Sequence, residues 1–324
     1  MPKSTQNHTQ MTREELILEL NNYLGENVVS TTLYFVLENE AELTIKKVDV
    51  ENTIQDRMTA LFQDYVIPKF TDNVELSYIP LSSFDDRKNV AFRYDYEIVP
   101  GRLNFMDTIL TNPPRTKFNF RTDDMTNLFG YLMVVGNETN KLSVFRRHHP
   151  IDLVRRDRRL YLIKSNERFV TMNNDGFILD KGFDFMKIST DLVVIKPKVL
   201  EKDFGFDEII EAAAEEGLSA IDQKNFVDDM IGFRIFADSN RPFQRKLVKA
   251  KTSPVLNVPF SRVAQFVSNN ESLSSKLRLN SDSTKFNLNS AASKKLFLKL
   301  LNDDYLNSPL TEIHYDSRAK DILE

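Results

Sequence analysis

One stretch in the middle of this chain restricts its fold more than any other, because two apolar runs flank a turn. Residues 131–135 and 142–146 have the length of strands and are rich in β-branched and aromatic side chains, and 136–140 is rich in turn-forming residues. Connections of about five residues join antiparallel neighbours. The segment therefore predicts a β-hairpin, and with it an antiparallel sheet.

The same pattern continues towards the C-terminus as a predicted antiparallel meander. Its further strands, with a turn at 173–176, are predicted at 160–164, 168–172, 177–180 and 192–195. Beyond Lys196 apolar residues recur at spacings of three and four, which predicts helices. They are expected at 207–216 (ending at Gly217), 222–236, 241–250, 261–268 and 291–301, with a Ser- and Asn-rich loop at 269–289.

The N-terminal part mixes helices and strands. Thr12, with Glu15 three residues later, predicts a capping box that begins a first helix, which Gly25 ends. A hairpin of 28–37 with 43–48, a helix at 50–66 closed by Pro68, and an extended stretch at 75–99 are expected to follow.

Pro113 and Pro114, with the polar stretch after them, are the best candidate for a linker. We therefore predict two domains. Residues 1–125 would form a mixed α/β domain with a flexible tail at 1–11, and residues 126–324 an antiparallel sheet with a helical C-terminal portion. The fold class predicted for the whole chain is α+β.

The absence of cysteine restricts the chemistry and the compartment. Neither disulfides nor thiolate metal sites are available, which favours a reducing environment. The first ten residues lack the apolar core of a secretory signal, and no apolar run approaches the roughly 20 residues of a membrane span. The sequence predicts a cytoplasmic protein that reaches a membrane only through a partner.

Motifs for nucleotide or serine-hydrolase chemistry are missing, because the nine glycines never form GxGxxG, GK[ST] or GxSxG. His148 and His149 are adjacent, so on a strand they would point to opposite faces and are expected to flank the turn at Pro150.

Two local groups of carboxylates resemble part of a metal-dependent nuclease site. One is Asp222 with Lys224, in which Asp222 is expected to cap a helix. The other is Asp180 with Asp184 and Lys187, which has no glutamate at the expected distance. We predict no catalytic residue, no metal ligand and no cofactor, although a nuclease whose carboxylates converge only in three dimensions stays open.

Charge is distributed in blocks, although the net charge is only −4. Residues 141–168 hold nine basic and three acidic groups, residues 201–238 three basic and eleven acidic, and residues 241–299 twelve basic and two acidic. Local potential matters more for recognition than total charge. The basic blocks therefore predict a polyanion-binding surface within residues 126–324.

Arginine suits phosphate because its planar fork donates two parallel hydrogen bonds. The predicted DNA-binding residues of the first cluster are Arg146, Arg147, Arg155, Arg156, Arg158, Arg159, Lys164 and Arg168, and those of the second are Arg241, Arg245, Lys246, Lys249 and Lys251. Lys294, Lys295 and Lys299 form a smaller third cluster. Phosphate contacts would give weak sequence specificity and strong salt dependence.

Other interpretations of the charge blocks stay open. The basic clusters could be solvated faces paired with the acidic block 201–238. That block could be the wet faces of two amphipathic helices, an acidic surface for a partner or an intramolecular shield. A non-enzymatic adaptor that uses its charges for protein assembly is a further alternative to DNA binding.

The order of segments is similar to that of a known family. The passages GYLMVVGNETNKLSVFRRHHP, MNNDGFILD, DLVVIKPKVLEKDFGF and RPFQRKLVKA, with the upstream VELSYIPLSSFDDRKNVAFRYDYEIVP, resemble the KwaB family of the Kiwa anti-phage defence system. The resemblance implies a bacterial protein that forms homodimers, binds phage DNA and works with the membrane-embedded protein KwaA at the inner membrane. We expect the DNA to be double-stranded. It supplies no site residue.

Overall fold

The computed structural model describes residues 11–24, 30–83, 87–137, 139–149, 153–154, 162–165, 168–171, 176–307 and 314–316, with the backbone alone within 153–171 and 306–316. The chain divides into two compact units. Unit 1 comprises Met1–Tyr78, Asn89–Tyr94 and Val99–Phe204, and unit 2 comprises Ile79–Lys88, Asp95–Ile98 and Gly205–Glu324.

The strands of the main sheet all precede Lys196 and most of the helices follow it, which is why the fold is α+β. In chain order the strands are β1 (Ser30–Asn39), β2 (Glu42–Lys47), β3 (Ser77–Pro80), β4 (Val90–Arg93), β5 (Leu128–Gly136), β6 (Lys141–Arg147), β7 (Leu153–Val154), β8 (Leu162–Ser165), β9 (Arg168–Thr171), β10 (Gly176–Phe177), β11 (Phe185–Ile188), β12 (Asp191–Val194), β13 (Arg278–Leu279), β14 (Phe286–Asn287), β15 (Tyr305–Asn307) and β16 (His314–Asp316).

The longer helices lie mostly after the last strand of the main sheet. In chain order the helices are α1 (Arg13–Asn21), α2 (Asn52–Val66), α3 (Phe105–Thr111), α4 (Pro197–Asp203), α5 (Phe206–Lys224), α6 (Met230–Asp238), α7 (Arg241–Leu247), α8 (Phe260–Asn269), α9 (Glu271–Ser274) and α10 (Ala291–Leu301).

An eight-stranded sheet has the strand order β2-β1-β5-β6-β11-β12-β4-β3. The pairs β1–β5, β5–β6, β6–β11 and β11–β12 are all antiparallel. β5 is buried along its whole length, because both faces of the sheet are covered. Gly130 in β5 allows close packing, since an added Cβ would lie 2.6 Å from the carbonyl oxygen of Arg146.

Several sequence predictions are confirmed by this architecture. The hairpin around 136–140 is β5–β6, and the hairpin after the first helix is β1–β2. Thr12 caps α1 through the predicted capping box with Glu15. α10 has the predicted bounds, and Ser290 caps it.

Beyond β6 the predicted strands at 160–164, 168–172 and 192–195 are confirmed as β8, β9 and β12, and β8 pairs with β9 as expected. The continuous meander is wrong, because β6 pairs with β11, and β8–β9 and β7–β10 form separate two-stranded sheets. The local pattern identified strands but not all of their partners, because pairing depends on contacts distant in sequence.

The predicted break at Gly217 is also wrong. α5 continues through Gly217, where an added Cβ would lie 2.1 Å from the carbonyl oxygen of Leu247, so this glycine permits close approach of another segment. Asp222 consequently lies inside α5 and caps no helix. Asp229 caps α6 instead, because its side chain accepts the N–H of Gly232 at 2.8 Å.

The expected loop at 269–289 contains ordered elements, α9 and the β13–β14 pair. The compact units are also bounded differently from the predicted domains 1–125 and 126–324. Strands from both sides of residue 125 share the eight-stranded sheet, and the units separate between Phe204 and Gly205.

Candidate nucleic-acid interface

Arg146, the first residue of the predicted DNA-binding set, lies near the end of β6 with only 11% of its side chain exposed. Its Nη2 is 2.6 Å from Asp180 Oδ2, and its Nη1 is 3.6 Å from Asp184 Oδ1. Asp184 is 1% exposed and also binds Lys196 Nζ at 3.0 Å. A buried carboxylate needs such matching charge. Arg146 is therefore engaged in ion pairs inside unit 1.

A tyrosine beside this group reports its environment. Burial, and secondarily the charge of Asp184, raises the pKa of Tyr65 to about 12. The Tyr65 ring also packs against Phe183 with 4.5 Å between ring centroids. Asp184 is thus shielded from water, whereas Asp180 and Lys196 at the edge of the group stay nearly half exposed.

Arg147 also contacts residues of unit 1. Its guanidinium carbon lies 4.1 Å from the centroid of the Phe129 ring, a cation–π contact. Its Nε is 3.4 Å from Asp203 Oδ1, and its Nη1 donates to the carbonyl oxygens of Phe129 and His148. These contacts give Arg147 a packing role at the end of β6.

The other residues of the first cluster are described less fully. Arg155, Arg156, Arg158 and Arg159 lie outside the described residues. Lys164 and Arg168 belong to the backbone of β8 and β9, where Ser165 is the register partner of Arg168. Their assignment to DNA binding stays a prediction.

The carboxylates considered for a nuclease site do not assemble as one. Asp180 and Asp184 both bind Arg146, whereas Lys187 Nζ binds Asp107 Oδ1 at 2.9 Å. Among the residues with described side chains, no group of three or more His, Asp or Glu side chains is placed to hold a metal ion.

In unit 2 the acidic helix α5 pairs with part of the second basic cluster. Arg241 Nη2 lies 3.2 Å from Asp207 Oδ2, and its Nη1 lies 3.0 Å from Glu211 Oε1. Lys251 Nζ lies 2.7 Å from Glu216 Oε2, and this hydrogen bond raises the pKa of Lys251. Two of the predicted DNA-binding cations are therefore partly neutralised within the chain.

The second and third basic clusters are brought together, because α7 and α10 lie side by side. At one end Lys294 Nζ is 5.5 Å from the Phe236 ring centroid, and that ring is 5.0 Å from Phe243 in α7. At the other end Asn302, just after α10, donates to the carbonyl oxygen of Lys246 at 3.3 Å.

We call the lysines of α7, of the 3₁₀ turn that follows it (Val248–Thr252) and of α10 the α7–α10 surface: Lys246, Lys249, Lys294, Lys295 and Lys299. Lys246 and Lys295 are exposed and form no ion pair with any residue whose side chain is described. Lys299 follows Lys295 by four residues and so shares its helix face. Helical spacing indicated each face, but nothing in the sequence identified α10 as the neighbour of α7.

The fold is that of an α+β protein with an eight-stranded antiparallel sheet and a separate helical unit. In the part of the chain that the structure describes, no helix is long and apolar enough to cross a membrane. The family model for Kiwa protein KwaB-like sequences matches residues 125–311, which is more than half of the chain. The chain belongs to this KwaB-like family, which implies a role in anti-phage defence.

A curated relative is similar over almost the whole length. It is the Kiwa protein KwaB of Escherichia coli O55:H7 (strain RM12579 / EPEC), which is 29% identical over 323 residues, covering 98% of this chain and 99% of the relative. No solved structure matches the chain.

Proposed function

We propose that this protein defends its host against phage by binding invading double-stranded DNA without sequence specificity, and that the α7–α10 surface makes the phosphate contacts. The observation that carries the proposal is the alignment of α7 with α10, which gathers lysines from two separate stretches of sequence. The arginines at 155, 156, 158 and 159 would add a second group of contacts.

Lysines gathered in this way suit backbone binding. Each phosphate contact displaces condensed counterions, which makes affinity steeply dependent on salt and largely independent of sequence. Lys246 and Lys295 reach solvent without an ion pair to a described side chain, so DNA would not have to displace an internal carboxylate from either. Arg146 and Arg147 contribute less to the proposal, because they already bind groups in unit 1.

The compartment, oligomeric state and partner that we propose are inferred from the KwaB-like family. We propose that the protein acts in the cytoplasm as a homodimer, that the membrane protein KwaA recruits it to the inner membrane, and that it obstructs DNA without cleaving it. The resemblance to KwaB proteins supports this part of the proposal.

The test is fluorescence anisotropy of a labelled DNA duplex titrated with the full chain at several salt concentrations. The variant carries Lys246→Glu, Lys295→Glu and Lys299→Glu. Loss of three phosphate contacts should reduce the slope of log K against log salt by about three and weaken binding by about 100-fold or more at low salt.

The control carries the same change of charge on exposed lysines of unit 1, at Lys47, Lys117 and Lys141. It should bind DNA within about threefold of the unmodified chain, because none of these three lysines is among the proposed phosphate contacts. Unchanged binding by the α7–α10 variant, or equal loss in both variants, contradicts the assignment.

Two further measurements separate the alternatives. Incubation of DNA with the protein and Mg²⁺ or Mn²⁺ should yield no product, and cleavage would establish the nuclease instead. An adaptor would show no DNA affinity at about 0.15 M salt and would still form a stable complex with KwaA.

A further inference from the structure

The outer strand β2 of the eight-stranded sheet leaves part of its edge open. Its inner edge pairs with β1. The C-terminal end of its outer edge is covered, because the N–H of Lys47 donates to the carbonyl oxygen of Thr116 at 2.9 Å, and the N–H of Phe118 donates to that of Lys47 at 2.8 Å. Alternate residues of a strand face the same edge, so the N–H and C=O groups of Leu43 and Ile45 also point outward.

These backbone groups of Leu43 and Ile45 form no hydrogen bond with any residue that the structure describes. The segment that covers Lys47 does not continue the pairing towards Leu43, and Pro114 has no N–H to donate to it. Proteins usually cover such an edge, because open N–H and C=O groups pair readily with another strand. This stretch of β2 is therefore suited to the addition of an extended segment.

A cavity of about 540 Å³ adjoins the open stretch. Leu43 and Ile45 give it an apolar lining together with Phe105 of α3. Polar residues at a spacing of four, which share one face of α3 and its two caps, also line it: Asn104, Thr108 and Asn112. The cavity can therefore take up apolar side chains beside an edge that binds backbone.

The charge available at this cavity is negative. Glu42, the first residue of β2, is exposed, borders the cavity and forms no ion pair with any residue whose side chain is described. Arg102 also borders the cavity, but it is already paired with Glu38. Opposite charges on facing residues of two strands stabilise a sheet. A strand bound here is therefore favoured when it carries lysine or arginine opposite Glu42.

A second copy of this chain does not fit the open edge. Pairing of β2 with itself about a two-fold axis, with Leu43 opposite Ile45, would place Ala41 opposite Lys47. Thr116 already occupies that position. A free extended segment meets no such obstacle, because it can leave the edge before it reaches Thr116.

We propose that the open edge of β2, with the cavity beside it, binds an extended segment of a partner protein as an additional antiparallel strand. Two apolar residues, separated by one residue, stand opposite Ile45 and then Leu43, exchange backbone hydrogen bonds with them and place their side chains in the cavity. A lysine or arginine follows opposite Glu42. The antiparallel direction is favoured because it is the more stable per residue.

The probe is the fluorescein-labelled peptide Gly-Ser-Val-Thr-Leu-Lys-Gly, whose valine and leucine stand opposite Ile45 and Leu43. Anisotropy titration with the full chain should show saturable binding. Methylation of the valine and leucine nitrogens removes the donors that face β2, and should weaken binding by at least about tenfold. Methylation of the serine and threonine nitrogens, which face away, should change the affinity by less than about threefold.

Matched variants of α3 test the cavity. Thr108→Trp fills it from an exposed position and should weaken binding by at least about tenfold. Thr111→Trp, exposed on the same helix but not lining the cavity, should leave the affinity within about threefold. Both variants should keep the circular dichroism spectrum and the DNA affinity of the unmodified chain, which separates this test from that of the α7–α10 surface.

An exchange of charges tests the register without altering the cavity. A peptide with glutamate in place of lysine should bind the unmodified chain about threefold more weakly. Glu42→Lys should reverse this preference, because the facing charges are then exchanged.

Four results would overturn the proposal. They are no binding of the parent peptide, equal loss of affinity on methylation of either pair of nitrogens, unchanged affinity of Thr108→Trp, and the same charge preference in Glu42→Lys as in the unmodified chain. A fall in molar mass by light scattering when the peptide binds would also overturn it, because a second copy would then be the occupant.

Discussion

Cations of the two units form ion pairs in opposite environments. In unit 1 Arg146 is almost buried and binds Asp180 and the fully buried Asp184. In unit 2 Arg241 and Lys251 bind carboxylates of α5 that are themselves largely exposed. The residue types are the same, so the sequence makes the two groups look equivalent.

The burial of each ion pair determines how much the fold depends on it for stability. Removing one partner of a buried pair leaves an uncompensated charge, which is strongly destabilising. Exposed pairs contribute little, because water and salt screen them and the side chains lose freedom. Arg146 is thus part of the folded core, whereas Arg241 and Lys251 remain exchangeable with an external anion.

The largest expected effect tests the buried side of this comparison. Arg146→Met should lower the free energy of unfolding by about 3–5 kcal/mol, because the buried Asp184 would lose one of its two cations and Asp180 its ion pair with Arg146. Equilibrium denaturation in urea measures it. Lys181→Met, an exposed lysine next to Asp180, should change stability by less than about 0.5 kcal/mol. A loss below about 1 kcal/mol for Arg146→Met would remove the distinction between the units.

The pH dependence of stability provides a second test of the buried group around Asp184 in unit 1. The pKa of Tyr65 is raised from 10.0 to about 12, first by burial and then by Asp184. The phenol therefore ionises more readily in the unfolded chain. Its contribution to the free energy of unfolding, up to roughly 3 kcal/mol, is complete below about pH 10 and is lost as the pH rises to about 12.

Tyr65→Phe provides the measurement for this effect. It keeps the ring beside Phe183 but removes the ionising group, so its stability should fall less than that of the unmodified chain between about pH 10 and 12. Denaturation midpoints across this range compare the two proteins. If the stability of both proteins fell in parallel as the pH rises, burial beside Asp184 would not perturb the ionisation of Tyr65.

A change in stability of intermediate size is expected in unit 2 where close backbone packing, and not an ion pair, is disturbed. Gly217→Ala should cost about 1–3 kcal/mol of stability, because its Cβ would meet the carbonyl oxygen of Leu247 at 2.1 Å. This loss should outweigh the better helix propensity of alanine, about 1 kcal/mol. Gln223→Ala, exposed in the same helix, is the control. Increased stability of Gly217→Ala would mean that α5 is free to move away.

The smallest effect concerns the exposed pairs themselves. Arg241→Ala should lower the free energy of unfolding by no more than about 1 kcal/mol, although it removes contacts with both Asp207 and Glu211. The loss should shrink further at high salt. A salt-insensitive loss of several kcal/mol, measured by denaturation, would place Arg241 with the buried cations of unit 1.

The sequence predicted the elements better than their arrangement. The capping box at Thr12 and the bounds of α10 depend on neighbouring residues, and both are confirmed. The pairing of β6 with β11 joins segments about 40 residues apart and could not be inferred from local alternation. Gly217 was misjudged because a glycine that ends a helix and one that permits close packing look alike in sequence.

The candidate site shows the same limit. Charge counting identified the basic blocks, but it gave Arg146 and Lys246 the same role. Only the fold shows that Asp180 and Asp184 bind Arg146, and that Asn302, just after α10, donates to the carbonyl oxygen of Lys246 in α7. Contacts of this kind depend on the tertiary arrangement, which a single sequence leaves open.

The strand order also has a consequence for folding during translation. β4 lies between β3, which precedes it closely in the chain, and β12, where Arg93 faces Val193 across roughly a hundred residues of intervening chain. At a synthesis rate of about 5–20 residues per second, β4 waits about 5–20 s for that partner to be made. During this interval β1, β2, β5 and β6, four of the eight strands, have already been synthesised. One edge of β4 stays open to unwanted pairing until translation has passed β12.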